Sequence, residues 1–97
     1  MALHLINARP DASSCYEQCR LALNTGDAVL LLEDAVYAAT GTFPQRFTDL
    51  PGITLYVLEP DMLARGIGPL VSEHFTPVSD SQFVELCCQQ DKVISWS

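Results

Sequence analysis

Short apolar runs separated by polar turns organise the chain. Leu3–Ile6 is the first run, bounded by Asn7 and Pro10, and reads as a strand. Ala12, Cys15, Cys19, Ala22 and Leu23 then fall at helical spacing, on one face of a helix. Ser14-x-x-Glu17 has the form of a capping box for that helix, with Asp11 as the rival cap. Asn24 to Asp27 closes the helix, with Gly26 suited to a left-handed position. Ala28–Leu32 is an unbroken apolar run ending in Glu33-Asp34, the pattern of a strand buried on both faces. Asp34 is expected to cap a short helix over Ala35–Thr40, stopped by Gly41. Pro44 and Pro51 mark residues 42–52 as a turn or short helix plus loop.

Ile53–Leu58 reads as a third strand. A short helix over Met62–Arg65 follows, entered at Asp61 and ended by Gly66, and residues 67–73 form a connector with room for one helical turn. His74–Val78 is a fourth strand, shortened by Pro77. Asp80 or Ser81 is expected to cap a last helix reaching Gln90, with Phe83, Leu86 and Cys87 on its apolar side. Lys92–Trp96 makes the final strand. Repeated β-α alternation predicts an α/β fold: one three-layer domain over residues 1–97, with an open, mostly parallel sheet of about five strands and helices on both faces.

Composition adds a partner. The chain has 97 residues, 48% of them hydrophobic. A chain this short buries a limited share of its surface, so apolar surface is expected to remain for an obligate assembly, or for self-association of the isolated chain. The net charge of -7 and the lack of any Lys/Arg run argue against direct contact with nucleic acid. The amino terminus lacks the basic start of a signal peptide, and no segment approaches a membrane span. A cytoplasmic protein with reduced thiols is expected.

Chemistry is sparse. The strand ends expected to form the ligand edge of such a sheet carry Asn7–Asp11, Glu33-Asp34, Glu59-Pro60-Asp61 and Ser79-Asp80. No glycine-rich phosphate cradle is present, and capping accounts for Asp34, Asp61 and Asp80 better than Mg²⁺ binding does. Cys15-x-x-x-Cys19 lacks redox-motif spacing. Its two thiols share one helix face, and a zinc site would need two further ligands from Cys87, Cys88 or the histidines. A nucleophilic thiolate is the functional alternative to plain packing, with Cys15 near the helix start and Arg20 beside Cys19. His4 and His74 have nothing to orient them toward Cys19, and Trp96 is expected to pack or to form an interface. No cofactor or metal is implied.

Four segments in register carry a family resemblance. "LLLEDAVYAATG", Leu30–Gly41, resembles the "LLLQDGV-AA--G" signature of the TusB/DsrH family. "LYVLEPDMLARGI", Leu55–Ile67, continues it; "FVELCCQQDKVISW", Phe83–Trp96, is similar to the family's "FVDLT" segment and terminal tryptophan; and Leu3 to Pro10 fits the family's start. Ala35 departs from the usual glycine, which puts the turn after Glu33-Asp34 in question.

The resemblance implies a DsrEFH-like fold and a heterohexamer with TusC/DsrF-like and TusD/DsrE-like subunits. It implies a sulfur relay from a TusA-like donor to a TusE-like acceptor, ending in 2-thiolation of the tRNA wobble uridine, with this chain as a mainly architectural, non-catalytic or auxiliary subunit of a sulfurtransferase complex. Cys19 stands where DsrH-type members carry a first-helix cysteine, so it is the one candidate for an auxiliary persulfide carrier. Two other readings stand beside this: a DsrH-like carrier in oxidative sulfur metabolism that uses Cys19, and a free-standing α/β ligand-binding module.

Overall fold

Five strands hydrogen-bond side by side in the order β4-β3-β2-β1-β5, and every pairing is parallel. The computed structural model describes all of residues 1–97. The strands are β1 (Ala2–Ile6), β2 (Ala28–Leu31), β3 (Thr54–Leu58), β4 (Thr76–Val78) and β5 (Lys92–Trp96). The α-helices are α1 (Ser13–Ala22), α2 (Gln45–Thr48), α3 (Glu59–Ala64) and α4 (Asp80–Gln89). Two 3-10 segments, Glu33–Ala39 and Gly68–Leu70, complete the chain. The expected sheet is therefore present with no antiparallel strand.

Alternation along each strand divides the core. Ile6, Val29, Leu31, Leu55 and Val57 point to one face, where Cys15, Tyr16, Cys19, Phe47 and Met62 cover them. Leu3, Ala28, Leu30, Leu58 and Val78 point to the other, where Phe83, Leu86 and Cys87 of α4 lie against them. This second face is thinly covered: α4 has no fully buried residue, and Leu5, Leu32 and Tyr56 stay half-buried. Leu21, Leu63, Leu70 and Val84 are exposed elsewhere on the surface.

Helix entry is where the sequence expectations need correcting. α1 starts after Ala12 with no side-chain cap, so neither Ser14 nor Asp11 fills that role. The short helix expected over Ala35–Thr40 is a 3-10 helix that starts earlier, at Glu33, and Asp34 does not cap it. Asp34 instead accepts from Arg65 (3.0 Å). α3 begins at Glu59, earlier than expected, again with no side-chain cap. At α4 the cap is Ser79, not Asp80 or Ser81. Its hydroxyl accepts from the Gln82 N–H (3.2 Å) while Gln82 Oε1 accepts from the Ser79 N–H (2.8 Å), a reciprocal capping box.

Candidate functional site

α1 carries the sequence's best candidate for chemistry. A helix places residues three and four apart on one side, and here Cys15, Tyr16 and Cys19 face the sheet while Leu21 faces water. Cys19 has no exposed surface. Burial pushes its thiol up to about 12, with the neighbouring Cys15 adding to the rise. Burial also raises Cys15. A low dielectric disfavours the thiolate, so both side chains behave as small apolar groups in this conformation.

The cation beside Cys19 in sequence does not activate it. Arg20 points away and grips Asp49 with paired hydrogen bonds of 2.8 and 2.9 Å. It also donates to the Arg46 carbonyl, clamping α1 to α2. Arg46 closes the other side. Its guanidinium lies 4.5 Å from the Tyr16 ring centroid and 5.1 Å from that of Phe43, and it donates to the Pro10 carbonyl at 2.7 Å. The Tyr16 hydroxyl donates to the Ala8 carbonyl at 2.7 Å. This cover over α1 comes from the 43–49 segment, whose Phe47 joins Cys15 and Cys19 in the core, and no local pattern in α1 announces it.

The carboxyl edge of the sheet is organised by carboxylates that reach across the chain. Glu33 is the one non-glycine residue at positive φ (53°), and its N–H donates to Asp61 at 2.6 Å. Ala35 needs no left-handed backbone, which explains why glycine can be absent there. Beside this turn lies an open hollow of about 500 Å³ lined by Arg9, Pro10, Asp11, Asp34, Tyr37 and Phe43. Its charges are already matched, Arg9 with Asp11 at 3.7 Å and Asp34 with Arg65 at 3.0 Å. The strand order reverses between β1 and β5, where a ligand cleft of an open sheet would form. The cavity there, beside Asn7 and Trp96, holds only about 60 Å³.

His74 is exposed, whereas His4 is 1% exposed and sits in a hydrogen-bonded chain that the sequence did not reveal. Asp27 Oδ2 lies 3.2 Å from His4 Nε2, and Trp96 Nε1–H donates to His4 Nδ1 at 3.0 Å. Asp27 also accepts from the Ala2 and Asn24 backbone N–H groups at 2.9 and 3.0 Å. Burial alone would raise the Asp27 carboxyl. The hydrogen bonds from Ala2, Asn24 and His4 outweigh that and hold it below the usual carboxylate range. The only local signal was an acidic residue set directly against the buried Ala28–Leu31 strand.

The four cysteines are unpaired; Cys87 is half-buried and Cys88 exposed on α4. No three His, Cys, Asp or Glu side chains converge to hold a metal ion. No helix is long and apolar enough to cross a membrane.

Comparison with known proteins fits this geometry. The chain is 31% identical over 96 residues to Protein TusB of Pectobacterium carotovorum, covering 97% of this chain and 99% of that one. It is 35% identical over 95 residues to Protein TusB of Erwinia tasmaniensis, with the same coverage of 97% and 99%. Among solved structures, the ychN protein from E. coli superposes with a TM-score of 0.75 at 15% identity, covering 97% of each chain. Protein Tm0979 from Thermotoga maritima superposes with a TM-score of 0.63 at 23% identity, covering 94% of this chain and 95% of that one. At those identities the two structures speak for the fold alone. The family model described as DsrH like protein matches residues 10–93, so this chain is a member of the TusB/DsrH family.

Proposed function

We propose that the chain is a mainly architectural subunit of a TusBCD-like sulfur-relay complex that serves 2-thiolation of the tRNA wobble uridine. In this reading it assembles in the cytoplasm with TusC/DsrF-like and TusD/DsrE-like subunits into a heterohexamer. The complex passes persulfide sulfur from a TusA-like donor toward a TusE-like acceptor. The full-length match to TusB relatives supports the pathway. The observation that carries the architectural role is Cys19 itself: with no exposed surface and a thiol pushed up to about 12, it is poorly placed to attack a persulfide. The thinly covered α4 face and the exposed leucines give partners apolar surface to bury.

The second reading, a DsrH-like carrier in oxidative sulfur metabolism, rests on the first-helix position of Cys19. It requires α1 to lift from Arg46 and Phe47 before sulfur can reach the thiol. Deleting the gene and measuring wobble 2-thiouridine separates the two. The architectural role is supported if modification is lost on deletion and restored by Cys19→Ala, with TusC-like and TusD-like chains co-purifying. A one-sulfur mass increase on Cys19 after treatment with a persulfide donor, together with failed rescue by Cys19→Ala, would favour the carrier. A chain that ignores both partner types would overturn the subunit reading.

A further inference from the structure

The hydrogen-bond directions around His4 leave one protonation state. Trp96 Nε1–H can only donate, so His4 Nδ1 must be the acceptor and carries no proton. Asp27 already accepts two backbone N–H groups and acts as an ionised acceptor, so the His4 proton sits on Nε2 and points at Asp27 Oδ2. The imidazole drawn by these contacts is neutral with its tautomer fixed from both sides. Neither nitrogen is free for catalysis.

A second proton would enter at Nδ1 and turn the acceptor into a donor. It would then face the indole N–H, and the Trp96 bond would be lost. Asp27 at 3.2 Å would hold the resulting imidazolium as an ion pair. Other charges near His4 are few. The hollow of about 410 Å³ beside it is lined by Met1, Asp27, Asp91 and Lys92 among others, and the Met1 ammonium is tied to Asp91 at 3.0 Å. α1, packed over β5, brings Ala22 and the buried Cys19 thiol to this side, and its Arg20 is engaged by Asp49.

Trp96 ends β5, and β5 is an edge strand paired only with β1. The Trp96–His4 contact is the one side-chain hydrogen bond that β5 makes. It spans 92 positions and joins the two ends of the chain. We propose that His4 is a proton-operated latch on this edge strand: neutral, it holds the Trp96 indole and pins the carboxyl end of β5; protonated, it releases it. Histidine is the side chain that most readily gains and loses a proton in proteins, so the latch is operated by proton uptake at His4 Nδ1.

Trp96 is the sole tryptophan, which makes the latch directly observable. The full-length chain labelled with ¹⁵N-tryptophan, alone or assembled with unlabelled partners, gives one indole N–H signal. As pH is lowered that signal is expected to move upfield and exchange faster with water, with one midpoint matching the protonation of the His4 imidazole observed in the same titration. Backbone amides of the β1–β5 ladder should lose exchange protection over the same range. The His4→Gln variant keeps an acceptor for Trp96 and a donor for Asp27 without titrating, and should abolish the transition. An indole signal unchanged while His4 titrates, a His4 that stays neutral throughout, or the same transition persisting in a folded His4→Gln chain would overturn the proposal. Should His4→Gln fail to fold, the wild-type indole and imidazole titrations decide the matter alone.

Discussion

The Asp61 carboxylate accepts the backbone N–H of Glu33 from 28 positions away and holds that residue in the left-handed region at φ 53°. A side chain there places its Cβ against the following carbonyl, a strain of about 1 kcal/mol that glycine escapes. The 3-10 turn starting at Glu33 lifts Asp34 toward Arg65 and shapes the rim of the adjoining hollow. Glu33→Gly is therefore expected to raise stability by about 1 kcal/mol, less the entropy glycine adds to the unfolded chain. Asp61→Ala removes the acceptor and should destabilise. Urea unfolding of the two variants checks this, and a destabilised Glu33→Gly would show that the carboxylate itself is needed.

How much of this was legible follows from where each determinant sits. β2 was readable because a run such as Val29–Leu32 has no polar face to offer water, and the β-α alternation then left little choice but a parallel sheet. Helix caps were misread at Asp34 and Asp61 because both carboxylates are taken by distant partners, Arg65 and the Glu33 amide, which a local pattern cannot contain. The inward face of α1 was readable from its spacing. The packing around it was not, since Phe47, which joins Cys19 in the core, and Arg46, which lies over Tyr16, come after an intervening strand. His4 looked inert for want of partners: one lies 23 positions away and the other 92.

Thiol reactivity should rank by burial. Cys88 is exposed and Cys87 half-buried, whereas Cys15 and Cys19 are buried in the core. A thiol without solvent access reacts only when the structure opens, so its labelling rate follows the opening equilibrium. Iodoacetamide followed by mass spectrometry should modify Cys88 first and Cys87 next. Cys19 should react in step with unfolding, accelerating sharply as urea is added. Labelling of native Cys19 as fast as Cys88 would mean that α1 opens readily, and would favour a carrier role for this thiol.

Alkaline pH should weaken the fold. The Cys19 thiol has an ordinary value of 9.0 and is pushed to about 12 in the folded chain. Burial likewise raises Tyr16 beside it. Because these groups titrate later when folded, the unfolded chain binds fewer protons above about pH 9, and stability falls as pH rises from there toward 12. Below pH 9 their contribution is complete. Cys19→Ala removes the Cys19 titration and leaves those of Tyr16 and Cys15, which burial also raises, and is expected to cost about 1 kcal/mol at neutral pH through lost packing. Its stability should decline less steeply between pH 9 and 11. A decline as steep as wild type would place the alkaline sensitivity elsewhere.

Acid sensitivity should centre on Asp27. Its carboxylate receives the Ala2 and Asn24 amides and the His4 Nε2–H, and its side chain is 6% exposed. Those bonds hold its folded value below 3.8, so the folded chain releases this proton more readily than the unfolded one. The stability this adds is complete above the unfolded value, and it is lost as pH falls below about 4 and through the folded value. Asp49, lowered by its hydrogen bonds from Arg20, titrates in the same direction, but its exposed position lets water screen it. Asp27→Ala leaves two buried donors, the Ala2 N–H and His4 Nε2–H, and the partly buried Asn24 N–H without their acceptor, and should cost about 3 kcal/mol at pH 7. It should also flatten the stability profile below pH 4, whereas Asp49→Ala should change both only slightly. Urea midpoints for the three chains between pH 3 and 7 make the comparison. An Asp27→Ala chain that still loses stability below pH 4 as steeply as wild type would move the acid response to other carboxylates.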